Sequence, residues 1–187
     1  WDEEMETRGI DRGGYAVLAP TAAWESKRWP IERWRQLLDP LADRGFDRVV
    51  VIGGPGERAQ AAGLIDETEL TAAAPGPRKG VGVTDMVGKA SVGQTMAIVE
   101  AAGLVIANDS APLHMAIGFD RPAIALFGPT DPAIVGPYGR DEAVIRPALT
   151  PAEAMMSYRD RGLGDRIMRK IEVREVIDQI DALFLKN

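Results

Sequence analysis

The chain has 187 residues, 45% of them apolar and 27% charged, with a formal net charge of −6 and no cysteine. This composition suits one soluble domain with its own core, and the missing thiols exclude disulfides, zinc–cysteine clusters and cysteine nucleophiles. The acidic balance argues against a nucleic-acid surface, which needs a basic stripe. It still allows a small phosphorylated ligand held by one lysine at a helix N-terminus.

No run approaches the ~20 apolar residues of a membrane-spanning helix. Trp1, Asp2, Glu3 and Glu4 are acidic where a secretory signal carries basic residues, so no signal peptide is expected. The first residue is not methionine, and a fragment and a processed N-terminus both stay open. Residues 1–14 are charged and glycine-rich and read as a linker. Residues 15–19 (YAVLA) have strand character, and residues 31–44 place apolar side chains three and four apart, the spacing of a helix. Pro40 inside that helix predicts a kink or a shortening.

Residues 48–52 (RVVVI) are β-branched and apolar, as in a strand buried on both faces. Glycines 53, 54 and 56 turn the chain into a helical pattern over 57–65, and 66–82 read as irregular. A strand edge is expected over 84–88, then a helix over 92–102 with Ser91 as its N-cap. Residues 104–107 form a further strand, 112–118 a short helix and 122–127 another strand. Residues 147–187 carry no strand pattern, and 173–185 form an amphipathic closing helix.

Strands alternating with helices at this spacing predict an α/β fold, a Rossmann-like doubly wound parallel sheet with helices on both faces. It would occupy residues 15–147, with 148–187 as a helical segment closing it. In such sheets ligands bind outside the carboxyl ends of the strands, at a switch in strand order. Three polar segments fall there.

The first, PTAAWESKRWP over 20–30, offers Thr21, Ser26, Lys27 and Arg28 beside a helix start, the ingredients of a phosphate cradle. The competing reading makes the cations solvated and Trp24 and Trp29 packing residues. The second, GGPGERA over 53–59, allows close backbone approach, and its Glu57 could accept from ribose hydroxyls or simply sit at a helix dipole. It is not a G-x-G-x-x-G fingerprint. The third, NDSAPLHMA over 108–116, places Asp109 and Ser110 as candidate caps before Pro112. His114, the only histidine, reads as structural or site-supporting, because no hydrolase triad or metal site can be assembled around it.

Residues 87–139 read VGKASVGQTMAIVEAAGLVIANDSAPLHMAIGFDRPAIALFGPTDPAIVGPYG. The NDS-x-P-x-H-x-A element, followed by a strand and FGPTDP, resembles the nucleotide-sugar half of the ADP-heptose:lipopolysaccharide heptosyltransferases, glycosyltransferase family 9. KRWP over 27–30 and the closing IEVREVIDQIDAL are similar to that family too. The resemblance runs from residue 15 onward and is strongest over 84–139.

The resemblance implies the C-terminal, donor-binding half of a two-domain GT-B glycosyltransferase. Such an enzyme inverts at the anomeric carbon and takes an ADP-sugar, ADP-heptose above all, with no cofactor and no metal. It acts in lipopolysaccharide or other surface-glycan synthesis, in the cytoplasm, with the whole protein at the inner face of the membrane. Lys27 would contact the donor phosphates, Thr21 or Ser26 would add hydroxyls, and Glu57 would lie near the ribose. Asp109, Ser110 and Ala111 would stand where the family's Asp-Ser/Thr-Gly triplet faces the diphosphate and sugar. The glycan or glycolipid acceptor and the catalytic base, an aspartate, would belong to an N-terminal domain outside these residues, so no catalytic residue is assigned here. Two departures stand out: position 111 is alanine where the family has glycine, and the PTAAWESK loop is longer, which loosens the Thr21 correspondence. A catalytically inactive nucleotide-binding or interaction module of the same fold is therefore the competing reading. A sugar-nucleotide epimerase is a third, opposed by FGPTDP.

Overall fold

The computed structural model describes Glu3 and residues 11–65, 81–155, 157 and 159–184. A six-stranded parallel sheet forms its centre. In chain order the strands are β1 (Tyr15–Ala19), β2 (Arg48–Val51), β3 (Gly82–Asp85), β4 (Leu104–Asn108), β5 (Ala123–Leu126) and β6 (Val144–Ile145). Their spatial order is β3-β2-β1-β4-β5-β6. This is the doubly wound α/β architecture, and its switch point lies between β1 and β4.

Strict two-residue alternation makes two apolar layers. Ala16, Leu18, Val49, Val51, Leu104, Ile106, Ile124 and Leu126 point to one face. There they meet Trp34, Leu37 and Leu41 from α1 (Ile31–Arg35), α2 (Leu38–Asp43) and the turn between them, and Leu64 of α3 (Arg58–Ile65). The opposite face takes Tyr15, Val17, Val50, Val105, Ala125 and Phe127. It is covered by Ile98 and Val99 of α4 (Val92–Glu100) and by Leu113 and Ala116 of α5 (Ala111–Gly118). Tyr15 is wholly buried, and its hydroxyl is satisfied by donating to the Ile98 carbonyl at 2.6 Å.

The helix expected over 31–44 is two short helices. Pro40 lacks an N–H to bond the Gln36 carbonyl, and its ring crowds that carbonyl, so the chain breaks at Gln36 and Leu37. Strand β3 ends at Asp85, earlier than the expected 84–88, because Asp85 turns to accept from the Val87 N–H. Strand β6 was not expected; two residues are too few to show alternation, and pairing with β5 alone defines it. Ser91 caps α4 as expected, in a reciprocal box with Gln94. Helix α6 (Pro132–Val135) follows β5. The last stretch forms α7 (Pro151–Ala154), α8 (Arg161–Met168) and α9 (Val173–Phe184), and α9 buries Val176 and Ile180 in the first layer. The expected linker over 1–14 falls largely, and the irregular stretch over 66–82 almost wholly, outside the described residues.

Candidate functional site

The loops after β1, β2 and β4 and the start of α4 enclose a cavity of about 410 Å³ at the switch point. Thr21, Lys27, Glu57, Asp109, Ser110 and Ala111, six of the residues singled out in the sequence, line it.

The β1 loop is held at both ends by one side chain. The wholly buried Asn108 donates through Nδ2 to the Pro20 carbonyl at 2.7 Å and accepts through Oδ1 from the Trp29 N–H at 3.2 Å. Within the loop, Arg28 turns back and donates from Nε to the Ala22 carbonyl at 2.9 Å, so it braces the loop and is not among the residues lining the cavity. Trp29 is a packing residue, its Nε1–H donating to the Ile171 carbonyl at 2.9 Å. Trp24 is instead half-exposed at the cavity wall, with the Arg159 guanidinium 5.7 Å from its ring centroid.

Ser26 and Lys27 are neighbours on one 3₁₀ turn and go opposite ways. Ser26 is buried against α8, where a Cβ on Gly164 would stand 2.0 Å from the serine Cβ. Only a glycine permits that approach, and Ser26 does not line the cavity. Ser26 thus stands outside the cavity lining, and Thr21 is the hydroxyl residue of this loop that lines it. Thr21 donates to Glu57 Oε2 at 2.6 Å, and the Gly54 N–H donates to the same oxygen at 2.7 Å. This ties the β1 loop to the glycine turn after β2. A Cβ on Gly53 would lie 2.8 Å from Thr21 Oγ1, which explains glycine there. Gln60 adds a second tie, accepting from the Ala22 N–H at 3.2 Å.

Lys27 reaches the other rim and forms an ion pair with Asp109, Nζ to Oδ2 2.6 Å, with only 16% and 6% of the two side chains exposed. Thr130 donates to the same oxygen at 2.8 Å. The expected capping role of Asp109 is thus replaced by this network. Ser110 is the N-cap residue of α5, yet its side chain does not cap the helix; its hydroxyl donates to the Asn108 carbonyl at 3.2 Å. Pro112 in the first turn contributes no N–H. The N-terminus of α5 therefore faces the cavity without a side-chain cap, an arrangement suited to an anion. His114 is exposed on α5, outside both the buried core and the residues lining the cavity.

Asn108, Thr130 and Trp24 were not assigned to the site from the sequence. Asn108 and Thr130 lie in the NDS and FGPTDP segments, where hydroxyl and amide residues directly after apolar strands were the available signal. Among the described residues no group of three or more His, Asp or Glu side chains could hold a metal ion, and no helix is long and apolar enough to cross a membrane.

The sequence model of glycosyltransferase family 9 (heptosyltransferase) matches residues 2–160. The chain belongs to this family. Lipopolysaccharide heptosyltransferase 1 of Escherichia coli K12 is 28% identical over 157 residues, which cover 84% of this chain and 44% of that protein. Lipopolysaccharide heptosyltransferase 3 of Escherichia coli is 28% identical over 180 residues, 96% of this chain and 49% of that one. Among solved structures, Escherichia coli heptosyltransferase WaaC with ADP is 26% identical with a TM-score of 0.67, covering 92% of this chain and 45% of that one. Escherichia coli ADP-heptose lps heptosyltransferase II shares the fold, with a TM-score of 0.73 at 23% identity over 99% of this chain and 51% of that one. This family 9 chain spans about half the length of the curated relatives it matches.

Proposed function

We propose that this chain is the donor-binding half of an inverting glycosyltransferase and takes an ADP-sugar, ADP-heptose or a close relative, in the cavity at the β1–β4 switch point. Residues 15–147 form the binding domain, 148–187 close it, and 1–14 lead into it. The observation that carries this reading is the convergence of the Lys27 ammonium and the uncapped α5 N-terminus on one cavity. The relative solved with ADP, at 26% identity, supports the choice of nucleotide.

In this reading the diphosphate lies between Lys27 and the first N–H groups of α5, and Glu57 takes the ribose hydroxyls with the carboxylate oxygen that Thr21 and Gly54 leave open. An acceptor hydroxyl attacks the anomeric carbon, the bond to the diphosphate oxygen breaks, and its electron pair leaves on ADP. Lys27 and the helix dipole stabilise that departing charge. A base must take the acceptor proton as the new bond forms. That base and the glycan or glycolipid acceptor belong to a domain outside these 187 residues. The whole enzyme then works in the cytoplasm at the inner face of the membrane.

Calorimetric titration with ADP, UDP and GDP tests the reading. Selective ADP binding, lost in Lys27→Ala, is the expected result. Equal affinity for all three, or binding indifferent to Lys27, overturns it and favours an interaction module of the same fold.

A further inference from the structure

The FGPTDP segment distinguishes the chain by sequence, yet none of its residues lines the cavity. Phe127 is wholly buried in the core, Asp131 accepts from the Ala133 N–H at 3.1 Å and caps α6, and Pro132 opens that helix. Thr130 does something else. It is buried, and its hydroxyl donates at 2.8 Å to Asp109 Oδ2, the same oxygen that holds Lys27 Nζ at 2.6 Å.

We infer that Thr130 is a positioning residue that acts through Asp109 to hold Lys27 at the place where an anionic group binds. The inference rests on the phosphate role proposed above for Lys27. Three strand ends meet in this relay: the β1 loop supplies Lys27, the end of β4 supplies Asp109, and the β5 loop supplies Thr130. A carboxylate held by a single donor can still turn about its Cβ–Cγ bond, and a second donor on Oδ2 restricts that turn. Lysine loses rotamer freedom when its tip is held, and a fixed anion there settles that cost before a ligand arrives. Thr130 does not line the cavity, so it acts on a ligand only through Asp109 and Lys27.

The test uses Thr130→Val, which keeps the branched shape and loses the donor, and Thr130→Ser, which keeps the donor. ADP and adenosine are titrated into each and into the unaltered chain. Thr130→Val is expected to weaken ADP about tenfold, near the low end for losing a hydrogen bond to a charged group. Adenosine, which has no phosphate, should bind it as before, and Thr130→Ser should restore ADP. Equal losses for ADP and adenosine would mean a structural role only, and unchanged ADP affinity would mean no coupling; either overturns the inference while leaving the donor reading intact.

Should the unaltered chain bind no ADP, the donor reading fails, and the relay is judged by urea unfolding of Thr130→Val, Lys27→Met and the double variant. Non-additive midpoint shifts sustain the relay. Additive shifts sink it.

Discussion

Asp85 closes β3 and Asp109 follows β4 at the same rim of the sheet, and each carboxylate meets a lysine, at 2.7 and 2.6 Å. The partners of Asp85, Arg58 and Lys89, are 56% and 54% exposed, whereas Lys27 opposite Asp109 is 16% exposed. Asp85 itself is 14% exposed, so the contrast lies in the cations: two stand in solvent and one is nearly covered. Similar distances therefore carry different consequences: ion pairs in solvent contribute little, while a desolvated pair penalises the loss of either partner. The Asp85 cluster finishes a strand end, and the Asp109 cluster lies at the cavity in which we propose that the donor binds.

The comparison breaks most readily at Lys27. Lys27→Ala should weaken ADP binding by about 1.5–3 kcal/mol, the range for hydrogen bonds to charged groups, whereas Lys89→Ala should leave the calorimetric affinity unchanged. Equal losses in the two variants would erase the distinction. Asp109→Ala leaves both the Lys27 ammonium and the Thr130 hydroxyl without their acceptor and should cost about 1–3 kcal/mol of stability in urea unfolding.

Acid tests the Asp85 cluster next. Burial pushes the Asp85 carboxyl up, but hydrogen bonds from Lys89, Arg58 and the Val87 N–H outweigh it and hold the group below its ordinary value of 3.8. Because its folded pKa is depressed, its stabilisation is complete above the unfolded value and is lost as pH falls through the folded one. Asp181, held down chiefly by the Arg44 guanidinium, behaves the same way. Urea midpoints measured down the acid limb should fall less steeply in Asp85→Asn than in the unaltered chain. An identical slope would show that the Asp85 pairs add nothing.

Smaller still, Arg58→Ala should change stability by about 0–1 kcal/mol, a difference that added salt erases. His114→Ala comes last: exposed on α5, it should change the unfolding free energy by no more than about 0.5 kcal/mol. Normal unfolding with weakened ADP binding would bring His114 into the ligand site.

Legibility followed burial. Strands β1, β2, β4 and β5 were readable because strands covered on both faces need near-continuous apolar runs. Strand β3 at the sheet edge, with only its threonine buried, lacks such a run, and its bounds shifted accordingly. Of the site, Thr21, Lys27, Glu57 and Asp109 were visible as polar residues just beyond apolar strands, and the cavity gathers all four. What each one touches was not visible. Ser26 is adjacent to Lys27 in the chain and has the same claim by composition, but it is turned under Gly164. Asn108 and Thr130 bond partners far away in sequence.

The sequence by itself determined the α/β class, the strand-then-loop placement of the polar segments and membership of glycosyltransferase family 9, because periodicity and local motif are properties of neighbouring residues. Tertiary structure alone decided the order β3-β2-β1-β4-β5-β6, which side of the 3₁₀ turn faces the cavity, and the meeting of Lys27, Asp109 and Thr130 on one oxygen. Those outcomes depend on side chains that only the crossover connections and the packing of two apolar layers bring within reach, and no local pattern encodes such distances.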